Sequence, residues 1–166
     1  MQGHLQEPDN TKVGRRMYTQ KTIDDFLRQE SFAVVGVSRS GRKFGNTVYE
    51  SLKNNGRTVY PLNPTAKTVD GAPCYARLKD LPERVDGIVT IVPPDQTESI
   101  VKEAAELGIF RVWMQQGSES RKAIQFCEQY GIQAIHGRCI LMFLEPVASV
   151  HKIHKWIVRR FHRLPA

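Results

Sequence analysis

The residues best equipped for chemistry lie between Gly36 and Gly45, where Ser38, Arg39, Arg42 and Lys43 are interleaved with glycines at 36, 41 and 45. Phe32 to Val37, just before them, is an apolar, β-branched run of the kind that forms a strand buried on both faces, and a helical pattern begins near Asn46. A glycine turn between a strand and a helix start offers backbone N–H groups at the positive end of the helix dipole. Gly36, Val37, Ser38, Arg39, Arg42, Lys43 and Gly45 are therefore expected to cradle a phosphate.

The other reactive side chains point less sharply. Cys74, Cys127 and Cys139 are odd in number and lack CxxC spacing, so neither a disulfide framework nor a structural zinc site is implied. Cys139 follows the last strand, beside Arg138, where a thiol ligand could form a mixed disulfide with it; the plainer reading is a buried cysteine leading into Ile140–Leu144. Cys127, on the inward face of its helix, reads as core. His151 and His154 share a helix face but no third ligand of fitting spacing accompanies them, so a structural role is expected and no metal. Ser38, Glu119, His136 and Glu145 form no recognisable catalytic set. No catalytic residue is assigned.

The elements that must position these groups alternate. Met1 to Gln20 is polar and without periodicity, a flexible tail, and residues 21–166 read as one domain. Lys21 to Glu30 is a lead-in helix with Thr22 as its cap. After the first strand, Asn46 caps a helix that stops at Asn54–Gly56. Thr58–Leu62 is a second strand and Thr65–Pro82 an irregular excursion in which Cys74 and Tyr75 are expected to form a short strand and Leu78–Leu81 a turn of helix. Val85–Val92 is a strand, Asp95–Leu107 a helix, Phe110–Met114 a strand. Ser118 caps a helix to Tyr130, Ile132–His136 is the last strand, and Glu145–Phe161 a terminal helix. This alternation implies an α/β fold: a doubly wound, mainly parallel sheet with helices on both faces.

In such sheets ligands bind beyond the carboxyl ends of the strands, near the switch in strand order. The expected rim is Ser38–Gly45, Asn63–Lys67, Pro93–Thr97, Gln115–Glu119 and Gly137–Cys139. An NAD site would show GxGxxG and an acid at the end of the second strand. Here the glycines fall at 36, 41 and 45 and the strand ends in Asn63. Basic groups at 39, 42, 43 and 67 instead suit a ligand with an extra phosphate, coenzyme A or NADP.

The segments VVGVSRSGRKFGNTVY, VYPLNP, TIVPPDQT, VWMQQGSES, GRCILM and EPVASVHKIHKW, in that order, resemble those of the stand-alone CoA-binding domain proteins. These are Rossmann-like domains similar to the nucleotide-binding domain of the succinyl-CoA synthetase alpha subunit. The resemblance spans about Lys21 to Phe161. It implies that Ser38 and the Arg39–Lys43 loop hold phosphates and that Asn63 and Pro64 line the nucleotide. Val92, Pro93 and Pro94 would pack on the adenine side, while Gln116 and Gly117 would border the pantetheine path. Lys67, Thr97 and Cys139 complete the candidate set on the same rim. The further domains and phosphorylated histidine of the synthetase have no counterpart in this chain, so the resemblance implies binding without self-sufficient catalysis.

The bulk numbers agree. The chain has 166 residues, 24 Lys and Arg against 17 Asp and Glu, and a net charge of +7, which favours anionic partners. No stretch reaches the roughly 20 apolar residues of a membrane span and the N-terminus lacks a signal-peptide core, so a cytoplasmic protein is expected. The reading is therefore a binding or regulatory module for coenzyme A or an acyl-CoA, with a protein partner or homo-oligomer left open. The alternatives are an NADP-dependent oxidoreductase or redox sensor, and nucleic-acid binding through the basic stripe Lys152, Lys155, Arg159 and Arg163.

Overall fold

A computed structural model describes residues 18–144. Its centre is a five-stranded sheet of β1 (Ser31–Val35), β2 (Thr58–Leu62), β5 (Gly87–Thr90), β6 (Arg111–Gln115) and β7 (Gln133–Arg138). All pair in parallel, in the order β2-β1-β5-β6-β7. The chain leaves β1 in one direction to make β2 and returns on its other side to make β5. The switch in winding therefore falls between β1 and β5.

Period-two alternation in buried strands assigns each side chain to a face. Phe32, Val34, Val89, Trp113 and Ile135 pack with helices α1 (Gln20–Arg28) and α2 (Phe44–Asn54) through Ile23, Phe26, Val48, Tyr49 and Leu52. Ala33, Leu62, Ile88, Val112, Met114 and Ala134 pack with α3 (Pro94–Glu106) and α4 (Arg121–Gln129) through Val101, Ala104, Ala123 and Cys127. Each such side chain, fully buried, contributes about 1.5–3 kcal/mol where it is a Val, Leu, Ile or Phe. Helices on both faces of a parallel sheet give the doubly wound Rossmann-like architecture expected of the alternating pattern.

The element bounds shift in instructive ways. α1 is capped by Thr19, whose side chain accepts from the Thr22 amide while Thr22 bonds back to the Thr19 N–H, so Thr22 completes the cap instead of being it. Tyr18, left in the tail by composition, is 9% exposed and donates from its hydroxyl to the His136 carbonyl at 2.7 Å. The irregular excursion contains a hairpin, β3 (Thr68–Val69) with β4 (Ala72–Pro73), and a 3₁₀ turn at Leu78–Asp80. Tyr75 bridges to Leu62 beyond the hairpin. The helix near Ser118 is capped by Ser120. At the amino ends of the strands Asp86 accepts from the Ser31 hydroxyl at 2.8 Å and from the amides of Ser31 and Glu30. The expected terminal helix at Glu145–Phe161, with His151, His154 and the basic stripe, lies outside the described residues. Among those residues no helix is long and apolar enough to cross a membrane.

Candidate functional site

The carboxyl edge of the sheet begins with two glycines that only glycine can occupy. Gly36 ends β1 at φ +107°, and a Cβ there would overlap the Ile91 carbonyl oxygen at the exit of β5. Gly45, in the first turn of α2, would drive a Cβ into the carbonyl oxygen of Gly36. The absence of both side chains lets the start of α2 press against the end of β1, at the winding switch.

Between these glycines the loop is shaped by a residue placed in the sequence as a cap. α2 starts at Phe44, and Lys43 before it supplies no side-chain acceptor to the first amides. Asn46, 1% exposed, reaches back from that first turn to Ser38. Its Oδ1 accepts from the Ser38 N–H at 2.9 Å and its Nδ2 donates to the Ser38 carbonyl at 2.8 Å. Gly41 N–H then closes onto the Ser38 carbonyl at 3.2 Å, and the Ser38 and Ser40 hydroxyls lie 2.9 Å apart. Arg39, Arg42 and Lys43 remain exposed around this turn, as does Lys67 after β2.

Neighbouring exits are stitched together by hydrogen bonds. Asn63 Nδ2 donates to the Val37 carbonyl at 2.7 Å, joining the ends of β2 and β1. Ile91 N–H donates to the Val35 carbonyl at 2.8 Å, joining β5 to β1. Val92 N–H donates to Ser118 Oγ at 3.4 Å, joining β5 to β6, and Ile140 N–H donates to Gln115 Oε1 at 3.1 Å, joining β7 to β6. The five predicted exits thus form one continuous rim.

Individual candidates take different places on it. Asn63 is committed internally: besides its bond to Val37, its Oδ1 accepts from the Thr65 amide, the Thr65 hydroxyl and the Ala66 amide at 2.8, 3.0 and 3.1 Å. Pro64 is exposed beside it. Val92 is half-buried; Pro93 and Pro94 open α3 and are exposed. Thr97 is fully buried, its hydroxyl 2.9 Å from Ser118 Oγ, which in turn donates to Thr90 Oγ1 at 3.0 Å. It stands beneath the rim. Gln116 and Gly117 are exposed, with Gly117 at φ +91° and its N–H held by Glu119 at 2.7 Å. Cys139 is 5% exposed. Burial raises the Cys74 thiol, and burial with the Glu128 charge pushes Cys127 up to about 12. Among the described residues no three His, Cys, Asp or Glu side chains are grouped to hold a metal.

Sequence reading gave both Ser118 and Asn46 the task of a helix cap, whereas Ser118 bonds to Thr90 and Thr97 and Asn46 to Ser38. Both sit three or fewer residues from a helix start, where polar side chains are ordinarily read as caps.

The CoA binding domain family model matches residues 30–145. An ADP-forming acetate–CoA ligase of Archaeoglobus fulgidus is 28% identical over 126 residues, 70% of this chain and 18% of that protein. The alpha subunit of a second such ligase, from Pyrococcus furiosus, is 27% identical over 129 residues, 71% of this chain and 28% of its own length. The chain thus spans under a third of these relatives. Among solved structures, a conserved hypothetical protein of Pyrococcus furiosus matches with TM-score 0.64 at 37% identity, over 68% of this chain and 97% of that one. A hypothetical protein of Pyrococcus horikoshii matches with TM-score 0.70 at 29% identity, over 75% and 89%.

Proposed function

The chain belongs to the CoA-binding domain family, and from that premise we propose that it binds coenzyme A or an acyl-CoA on the rim at the carboxyl ends of β1, β2, β5 and β6. The observation that carries this reading is the turn Gly36–Gly45. Asn46 grips it at Ser38, Gly36 and Gly45 admit the helix start, and Arg39, Arg42 and Lys43 stand around it. Phosphates there meet backbone N–H groups, the helix dipole and three cations together. Lys67 adds a fourth positive charge after β2. Pro64, Val92, Pro93 and Pro94 offer apolar surface for the adenine, and Gln116 and Gly117 border the route of the pantetheine arm.

The role is that of a binding or regulatory module of the cytoplasm, without a catalytic group of its own. The ligase relatives carry their reactions on chains several times longer. A CoA disulfide on this rim would exchange with Cys139, its thiolate attacking one sulfur to form the mixed disulfide while the other CoA leaves as thiolate.

A thermal-shift titration with CoA, acetyl-CoA, NAD, NADP and ATP tests the reading. A ligand at about 100 times its dissociation constant stabilises the native state by about 2.7 kcal/mol, a plainly raised melting temperature. Stabilisation by CoA species above the others is expected. A shift with NADP alone would move the assignment to an oxidoreductase or redox sensor. No shift with any of them, together with steeply salt-dependent association with nucleic acid, would move it to the basic terminal stripe. Intact mass without reductant reads the disulfide, as a CoA adduct lost in Cys139→Ser.

A further inference from the structure

The end of β2 carries no acid, and both the Oδ1 and the Nδ2 of Asn63 there are engaged by protein groups. A carboxylate reaches the first loop by another path. The β3–β4 hairpin turns on Asp70 and Gly71, both with positive φ, +49° and +77°, the pairing that a tight two-residue hairpin turn requires. Its tip brings Asp70 Oδ1 to within 3.3 Å of the point where a Cβ on Gly41 would stand.

The hairpin is not free to swing away. Val69 is 1% exposed, in the same core as Val48 and Tyr49. Tyr75 N–H donates to the Pro61 carbonyl at 3.0 Å and Asn63 N–H to the Tyr75 carbonyl at 2.9 Å, tying the outgoing leg to the sheet edge, and Cys74 N–H donates to the Lys67 carbonyl at 2.9 Å, tying that leg to the incoming one. Asp70 itself is exposed and, among the described residues, makes no ion pair or side-chain hydrogen bond. An unpaired carboxylate is thus held against a turn whose other charges, at Arg39, Arg42 and Lys43, are positive.

We infer that Asp70 is a specificity-determining residue of this loop: its charge opposes ligand phosphate at Gly41 and so limits how tightly highly phosphorylated ligands are held. The inference rests on the phosphate-binding role proposed above for the Gly36–Gly45 turn. A fixed like charge at the edge of an anion site acts through water and falls with ionic strength. It leaves uncharged parts of a ligand unaffected.

The test is Asp70→Asn in the full chain, titrated calorimetrically with CoA, ADP and inorganic pyrophosphate at low and at physiological salt, with adenosine as the uncharged probe. Asparagine tolerates positive φ and the side chain is exposed, so the variant should melt with the wild type. The expected result is about three- to tenfold tighter binding of all three phosphorylated probes, a gain that shrinks as salt rises, and no change for adenosine. Unchanged affinity overturns the inference. Weaker affinity also overturns it and makes Asp70 a hydrogen-bond acceptor for a ligand hydroxyl. If the wild type binds ADP and pyrophosphate but not CoA, the coenzyme assignment fails while the Asp70 comparison still reads. If it binds none of them, the anion site fails and Asp70 with it.

Discussion

Asn46 holds Ser38 at both ends of one residue, accepting from its N–H at 2.9 Å and donating to its carbonyl at 2.8 Å. The amide side chain does for the loop what a neighbouring strand does for a strand, and it does so from within the first turn of α2. Loop shape and helix position are therefore one variable. Asn46→Ala leaves the Ser38 N–H without its partner and is expected to lower stability by about 1–3 kcal/mol. It should also reduce the melting shift produced by CoA. Asn46→Asp can still accept but cannot donate, and it sets a negative charge under the anion site, so its CoA-induced shift should be smaller than that of the alanine variant. Thermal shift with and without CoA checks both; equal CoA shifts in wild type and both variants would contradict the coupling.

Gly45→Ala tests the close approach of α2 to β1. The added Cβ meets the backbone carbonyl of Gly36, and a backbone cannot step aside as a flexible side chain can. Destabilisation above about 2 kcal/mol is expected. Gly117→Ala is the contrast, since nothing lies within 4 Å of the added carbon and only the φ of +91° is unfavourable, a cost of about 1–2 kcal/mol. Chemical denaturation of the two variants measures the difference; Gly45 has no positive φ, so a loss at 45 no larger than that at 117 would mean that the Gly36 backbone gives way and that contact does not set the glycine requirement there.

Much of this was legible in the residues because strand burial and helix periodicity leave strong local marks. β2 at Thr58–Leu62 falls where its turn signals place it, and the glycine turn at 36–45 stands at the winding switch. What was not legible depends on contacts across the sheet edge. Asn46 and Ser118 stand where a helix start makes a polar side chain look like a cap, yet one binds Ser38 eight residues back and the other binds Thr90 twenty-eight residues back. Thr97 looked available to a ligand because α3 begins at the rim, but its helical position turns it inward to full burial. The hairpin at 68–73 is too short to show periodicity, and with it Asp70 escaped notice as a neighbour of Gly41.

Asp86 should govern part of the acid sensitivity. Burial raises its carboxyl, but hydrogen bonds from the Ser31 hydroxyl and from the Ser31 and Glu30 amides, with the Arg111 charge, together outweigh that and hold it below its ordinary value of 3.8. A depressed carboxylate contributes stability above its unfolded pKa and loses it as pH falls through the lower, folded value. Asp86→Asn should therefore be less stable than wild type at pH 7, with the gap closing below about pH 4. Melting curves from pH 7 to pH 3 check this; a gap that widens on acidification would reverse the sign and remove Asp86 from the account.

Ser118 and Ser120 offer two hydroxyls, two residues apart, with separable duties. Ser120 caps α4, accepting from the Ala123 amide at 3.0 Å and donating to Glu98 at 2.8 Å, and touches no strand exit. Ser118, 3% exposed, donates to Thr90, stands 2.9 Å from the Thr97 hydroxyl and accepts from Val92 N–H, so it fixes the exit of β5 against that of β6. Removing either hydroxyl should cost stability, about 0.5–2 kcal/mol at the cap and about 1–3 kcal/mol in the buried network, where partners are left unsatisfied. Ligand response separates them. Val92, Pro93 and Pro94 hang from the β5 exit, so Ser118→Ala should weaken CoA binding beyond what its lower melting temperature explains, whereas Ser120→Ala should bind CoA as wild type does. Affinities measured well below both melting temperatures decide it, and equal CoA affinity in the two variants would confine the hydroxyl network to the core.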